Sequence, residues 1–497
     1  MKALLAIAVA TLTASPQGMV NGVITVPYGT TLTTAGIALP SSTTLLIRGR
    51  LLHAAGSGAS YLVQPATGAS NVTIQCEQGG ALDGGGVVPT TGQGAMIFVD
   101  SNTNFQLHGC TFHNSGTPSN LLGAISTYNS SATVTDIHSD STLYGTTVKV
   151  DCAYSTKRVV VDGVTADGSK DNVIFISNTG ATEGACNADI SRVSATNISD
   201  YSNTAGQKGN VFVVYRADDV HFHDAYASNV RYSCGRVNQS ADVFIDHVIC
   251  DGSQESAFYA ELGAKRVHFD HLKILHSKGG VNLSNVEQRV PDQTNSADDI
   301  DCLDLSFYCV AVEHDQVSNI FTEGTPIGVL LGIASSSHDN VARNVVCSHM
   351  DQTLPPTIAC VAAAQSIDTG ADYVFSNIAR ASSIAPLVNI DIPSSPVVSN
   401  VTRASPAVVS YSQGVPPQIG AVYCFVQIGG MKELNGQCVK VTATSAGSFT
   451  IALDTTAFSP FTIPVGNSPL GVAIGVKKAD GSPLWPTSPN LHVQALP

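Results

Sequence analysis

The segment Val243-Phe244-Ile245-Asp246-His247-Val248-Ile249-Cys250 has apolar residues at its first, third, sixth and eighth positions and a polar pair at its fourth and fifth. The same template fits Val267-His268-Phe269-Asp270-His271-Leu272-Lys273-Ile274 and Val220-His221-Phe222-His223-Asp224-Ala225-Tyr226-Ala227. Further back it starts at Ala188, Val159, Ala132 and Phe105, and the seven starts lie 27, 27, 29, 32, 23 and 24 residues apart. Weaker matches start at Leu45, Val72, Val310, Val341, Tyr373 and Pro396. On either side of the polar pair the alternation has period two, the side-chain period of a strand. Skipping two positions between inward residues requires a bend, so each repeat predicts strand, two-residue corner, strand. A third strand follows in most repeats, at Val173–Ile176, Val211–Tyr215, Phe258–Leu262 and Val281–Leu283. Short strands repeating at this period predict a coiled solenoid of parallel strands, in which each coil buries its inward side chains against its neighbours. A leucine-rich repeat is excluded, because its Leu/Asn consensus is missing.

Composition narrows the partners. Charged residues make up 12 % of the 497, about half the usual share. The net charge of −14 reflects a shortage of Lys and Arg (24) rather than acidic runs. Too few charges are present for a coiled coil, and 43 % apolar residues exclude disorder. With no basic stretch, nucleic acid is excluded as a partner. Residues 1–18 open with Met1-Lys2, an uncharged run Ala3–Leu12 and small residues. That is the layout of a secretory signal, the alternative being a first strand. No later segment offers the ~18 uninterrupted apolar residues of a membrane span. The 12 cysteines contain no Cys-x-x-Cys, which leaves a zinc site without support and fits disulfides in an oxidising compartment. Cys302 with Cys309 and Cys424 with Cys438 are spaced to bridge locally. Cys250 shares an apolar column with Ala166, Ala195, Ala227 and Ile274, and is expected as a buried free thiol.

The repeats, with Gly22-Val23-Ile24-Thr25-Val26-Pro27 and Gly80-Ala81-Leu82-Asp83-Gly84-Gly85 ahead of them, resemble the pectin-lyase-like superfamily. It includes pectate lyases, polygalacturonase-type hydrolases and phage tailspikes. The resemblance implies an all-β fold, a right-handed parallel β-helix over residues 19–409. From residue 410 the repeat stops, and residues 418–497 alternate as a small antiparallel β module would, so 410–497 is expected as an accessory β domain suited to attachment or capping. The resemblance further implies a polysaccharide partner, secretion or a place on a virion surface, a homotrimer if the chain is a tailspike, and Ca2+ if it is a lyase.

Two kinds of candidate chemistry compete. The Asp-His pairs stack in columns, with His108, Asp162, His223, Asp246 and Asp270 in one and His247 and His271 in the next. Their corner position favours a structural role, and no metal ligand is assigned. In the resembled enzymes the cleft lies on the third strands. There, alternation turns Tyr259 and Glu261 outward if Phe258, Ala260 and Leu262 face in. Arg216, Arg236 and Asn282 fall on neighbouring coils. After Asn282 the repeat is interrupted from Asn285 to Phe307, where six of the 38 carboxylates concentrate together with Arg289. Long insertions in solenoids gather on the binding face. Glu261, Asp298, Asp299 and Asp301 are therefore the candidate catalytic carboxylates. Arg216, Arg236, Tyr259, Asn282 and Arg289 are the candidate substrate-binding residues. Hydrolysis needs two carboxyls, and elimination a base with a cation on the uronate. Of the polygalacturonase motifs only Asp298-Asp299 appears, and the Arg-x-Pro-x-x-Arg of calcium pectate lyases is missing, so neither reaction carries over. Non-catalytic glycan binding is the alternative, with Tyr201, Tyr215, Tyr232, Tyr259 or Trp485 as stacking residues, and a structural spike is a third reading.

Overall fold

The computed structural model describes residues 22–54, 61–77, 79–85, 94–114, 122–153, 157–179, 184–200, 208–283, 295–312, 315–325, 327–331, 340–348, 359–363, 373–381, 388–389, 396–413, 416–426, 428, 430–434, 437–462, 472–477, 479 and 491–495. The N-terminal segment read as a signal lies outside them, as do Tyr201, Arg289 and Trp485. The chain divides into two units, residues 1–203 with 208–227, and 204–207 with 228–497.

In the first unit the coils climb as parallel ladders. Phe105–His108 pairs with Ala132–Ser139, which pairs with Val159–Asp167, which pairs with Gly184–Ile198. Register puts Val134, Val161 and Ile190 over one another, all with no solvent exposure. β-Branched side chains suit such a stack, because one rotamer repeats from coil to coil. A second sheet holds the third strands, among them Gly123–Tyr128, Val148–Asp151, Ile174–Ser177 and Phe212–Tyr215. The polar pair is the corner the template requires. Its second residue is left-handed at Asp136 (φ 50°), Gly163 (80°), Arg192 (50°) and Asp224 (54°). Glycine suits Gly163, where a Cβ would sit 2.5 Å from Asp136 Oδ1 and 3.2 Å from the Asp136 backbone nitrogen.

The second unit repeats the plan and corrects several expectations. The interruption after Asn282 is shorter than the sequence indicates, because Ser296–Leu303 is a first-sheet strand pairing with Lys265–Leu275 and Gln316–Glu323. The hydrophobic template misses this coil and the next two because Asn295, Asp315 and Asn340 fill its first inward position. These are buried and make a side-chain ladder. Asn295 Oδ1 accepts from Val267 N (3.0 Å), Asp315 Oδ1 from Asn295 N (2.8 Å), and Asn340 Oδ1 from Asp315 N (3.2 Å). Val310 accordingly lies in a second-sheet strand, Tyr308–Val312, the Val341 repeat starts one residue earlier, and Pro396 immediately precedes an antiparallel strand. Leu262 does not face in. It follows the strand Ser256–Glu261 as a half-buried left-handed residue (φ 57°). Cys250 is buried but not free, being bonded to Cys234. Its partner comes from the opposite sheet of the coil, which a column of like neighbours does not reveal. Cys302–Cys309 bridges as spaced, Cys347–Cys360 makes a like link, and in the first unit Cys76–Cys110 and Cys152–Cys186 join adjacent coils.

Beyond the coils, six antiparallel strands close a barrel in the order Val397–Val401, Ala407–Gln413, Ser448–Ile451, Cys438–Ser445, Val422–Val426 and Val472–Lys477. Val409, Phe425, Val441, Phe449 and Ile451 are buried in its core. The backbone then returns, and Leu491–Ala495 pairs parallel with Tyr373–Ala381 of the first sheet. No helix among the described residues is long and apolar enough to cross a membrane.

Candidate functional site

Four of the sequence-named residues meet. Register aligns Arg236 with Tyr259 and Tyr259 with Asn282, while Glu261 aligns with Asn238. Phe258 packs inward on Phe269 with ring centroids 5.9 Å apart, so the strand alternates as expected up to Glu261. The face opposite is nonetheless closed. Arg236 is 2 % exposed, Tyr259 5 %, Glu261 4 % and Asn282 1 %. Arg236 donates through Nε to Glu261 (2.5 Å) and through an Nη to Glu255 (3.0 Å), with its guanidinium 4.9 Å from the Tyr259 ring centroid. The Asn238 amide, with its nitrogen toward Glu261, donates at 2.9 Å. Asn282 donates to the Tyr308 hydroxyl (3.0 Å), which also meets Ser256 Oγ (2.7 Å). Burial works against the Arg236 charge, but Glu261 and Glu255 outweigh it and raise the group further. Burial also pushes the Tyr308 phenol up to about 12, against its bonds to Ser256 and Asn282. This is a satisfied buried ion network, expensive to break and closed to a polymer.

The remaining candidates stand elsewhere. Asp298 and Asp299 form the corner pair of Ser296–Leu303, with Asp299 left-handed (φ 52°), and Asp298 accepts from Ser318 (2.7 Å) and Asn319 (2.9 Å). Asp301, on the same first-sheet strand, is exposed and opposite Lys273. Arg216, in the first unit, is a left-handed residue after Phe212–Tyr215, lying 5.0 Å over the Tyr215 ring. Tyr232 is 4 % exposed, so it offers no stacking surface.

An open groove of about 560 Å³ lies instead on the first coils of the first unit. The first-sheet layer there is broken into strand pairs, Val23–Val26 with Thr31–Thr34, Thr44–Ile47 with Arg50–His53, Thr73–Cys76 with Ala81–Asp83, and Phe105–His108 with Thr111–His113. Tyr28 and Arg48 from the connections, with Arg50, Asp83 and His113 from the second strands and Asp140 just beyond Ser139, line the groove. Register stacks Asp83 under His113. Phe112 aligns with Ser139, which brings Asp140 beside His113 on the next coil. Asp140 Oδ2 meets His113 Nδ1 at 2.5 Å. Its Oδ1 accepts from the Thr142 amide (2.9 Å) and hydroxyl (2.5 Å). Burial pushes Asp140 up, but Thr142 and His113 outweigh it and hold the carboxyl below its ordinary value. Asp83 is 1 % exposed and accepts from Arg50, Asn114 Nδ2 (3.1 Å) and Gly85 N (2.7 Å). Tyr28 is 71 % exposed, and Arg48 holds Glu77 at 2.9 Å. The sequence carried a trace of this site in Gly80-Ala81-Leu82-Asp83-Gly84-Gly85. His113, which directly follows a template repeat, left none.

A second carboxylate cluster belongs to the second sheet of the same unit. Burial pushes Asp171 up to about 6, against the Asn172 amide and the charge of Lys208. Burial also lowers Lys149, despite the attraction of Asp151 and Asp171. Asp151 is 3 % exposed, and its Oδ2 has no hydrogen-bond partner. Among the described residues, one group has the spacing to hold a metal, namely Asp189, His221 and His223 on the first sheet.

No family model matches the sequence, and no curated protein does. Solved structures similar to the chain include the catalytic domain of a GH87 α-1,3-glucanase in complex with nigerose (14 % identity, TM-score 0.43, 62 % of this chain and 60 % of that one). Another is a tailspike protein of Escherichia coli bacteriophage HK620 in complex with a hexasaccharide (11 %, TM-score 0.43, 91 % and 86 %). A third is an endo-xylogalacturonan hydrolase from Aspergillus tubingensis (12 %, TM-score 0.32, 76 % and 91 %). The chain thus spans 60 % of the glucanase domain's length. Its own stacked parallel ladders define it as a parallel β-helix.

Proposed function

We propose that the protein is a polysaccharide-active β-helix that binds an acidic glycan in the groove of its first coils and cleaves it by elimination. The observation that carries this is the Asp140–His113 pair on an open groove that also presents Arg48, Arg50 and Tyr28. With Nδ1 bonded to Asp140, Nε2 is the ring nitrogen placed to accept a proton. An Arg opposite the uronate carboxylate neutralises its charge and acidifies the adjacent C–H. His113 takes that proton, the C–H pair becomes the new C=C bond, and the glycosidic C–O bond breaks. The departing oxygen takes a proton from Tyr28 or water. Hydrolysis in the groove would need a protonated carboxyl. Asp140 is held ionised, and Asp83 is occupied by Arg50, Asn114 and Gly85.

A second reading, hydrolysis, is favoured by Asp171. Its carboxyl is raised to about 6, as a general acid's is, with Asp151 as the second carboxyl, although at 5 % and 3 % exposure the two are as closed to a polymer as Glu261. Five disulfides among the described residues fit secretion or a virion surface. A panel of acidic and neutral polysaccharides separates these readings. Reducing ends together with ultraviolet-absorbing unsaturated products support elimination. Reducing ends alone support hydrolysis. Saturable binding without product leaves the groove a non-catalytic glycan site.

A further inference from the structure

The strand Ala217–Val230 carries His221 and His223 two residues apart, so both project from one face of the first sheet. Their rings lie 4.4 Å apart between centroids. The strand Gly184–Ile198 contributes Asp189, whose Oδ1 is 3.1 Å from His223 Nε2. One ligand atom from each of Asp189, His221 and His223 lies within 4.8 Å of the other two, and all three residues are half-buried. A second observation concerns the far side of the ring. His223 Nδ1 meets Asp224 Oδ2 at 2.8 Å. A carboxylate on one ring nitrogen fixes the tautomer, turns the other nitrogen's lone pair toward the metal and raises its basicity.

We propose that Asp189, His221 and His223 form a binding site for a divalent first-row transition cation, Zn2+ foremost, with Asp224 as the positioning carboxylate. Two imidazoles and one carboxylate are a borderline donor set, suited to Zn2+ and unsuited to Ca2+ or Mg2+, which take oxygen ligands. Bond lengths near 2.0–2.1 Å require ligand atoms about 3.3 Å apart in a tetrahedron. His223 and Asp189 already meet that separation, and His221 closes the remainder by side-chain rotation. Asp189 has an oxygen for each of two neighbours, since Oδ2 faces Arg158 (3.3 Å) while Oδ1 faces His223. On Asp189, metal binding replaces the Oδ1 contact with His223 and leaves Oδ2 to Arg158. Asp189, Asp224 and nearby Asp162 offset the cation's charge. Three protein ligands leave at least one coordination position to water, the arrangement of an open site.

The test uses the full-length protein and Co2+ as a spectroscopic stand-in, with Zn2+ in competition. The expected result is one equivalent of Co2+ with a visible ligand-field spectrum, displaced by one equivalent of Zn2+. His223→Gln and His221→Gln should each abolish the spectrum. Asp224→Asn should retain it with affinity lowered about 10–100-fold, the usual cost of losing such a partner. His271→Gln, which alters a stacked His pair outside the site, should leave both spectrum and stoichiometry unchanged. Thermal melting of each variant reports folding separately. Absence of stoichiometric uptake, or uptake that survives His221→Gln and His223→Gln in folded protein, overturns the site. An Asp224→Asn affinity equal to wild type overturns the positioning role.

Discussion

Two regions of this chain are built from the same parts and differ in what can reach them. Around Arg236, a guanidinium, two carboxylates, two amides and two phenols are packed on the second sheet with Arg236 2 % exposed. Around Asp140, two carboxylates, two guanidiniums, an imidazole and a phenol line a groove with Tyr28 71 % exposed. In the first region charges are spent on one another, and the low dielectric that strengthens each bond makes any loss costly. In the second, the Arg48–Glu77 and His113–Asp140 pairs are part-exposed and weakened by solvent, so a ligand can replace them. Residue types alone do not separate a site from a strut. Exposure and the number of bonds already made do.

Breaking the closed network should give the largest stability effect. Glu261→Ala leaves the buried Arg236 charge offset by Glu255 alone and should cost about 3–5 kcal/mol in chemical denaturation. A cost below 1 kcal/mol would place Glu261 outside the structural core of the account. Next comes Asp171. Its folded pKa of about 6 lies above the ordinary 3.8, so its contribution to stability is full below 3.8 and is lost as pH rises through 6. Asp171→Asn should therefore be neutral at pH 3 and stabilising by roughly 2–3 kcal/mol at pH 8. A pH-independent difference would contradict that assignment. In the groove, Arg48→Ala should lower kcat/KM on an acidic polysaccharide about tenfold, as loss of one charge-assisted contact does. The exposed pair it makes with Glu77 predicts no more than about 1 kcal/mol of lost stability. Smallest, Tyr28→Ala should raise KM a few-fold through lost ring stacking on a sugar, an effect of about 0.5–1.5 kcal/mol.

The fold was legible because its rule is local. Period-two alternation, broken once by a polar pair, is written into each coil, and left-handed residues such as Asp136, His247 and His271 stand where the pair predicts. The rule fails where inward positions are polar, as at Asn295, Asp315 and Asn340. There a side chain satisfies a backbone amide of the adjoining coil, which hydrophobicity cannot register. Alternation likewise identified the face that Arg236, Tyr259 and Glu261 share, but it carries no information on whether that face is covered. The groove was hidden for another reason. Asp83, His113 and Asp140 are 30 and 27 residues apart in sequence, and they meet through the register of successive coils, which no residue pattern around them records.

The central claim is that the open groove, with His113 as its base, performs the chemistry. Initial rates of unsaturated-product formation from a uronate polysaccharide, for wild type and His113→Ala at matched folded concentration, test it most directly. The account predicts a loss of about 10²–10⁴-fold, the usual worth of a general base, with an unchanged melting temperature. Wild-type turnover in the folded variant would contradict it.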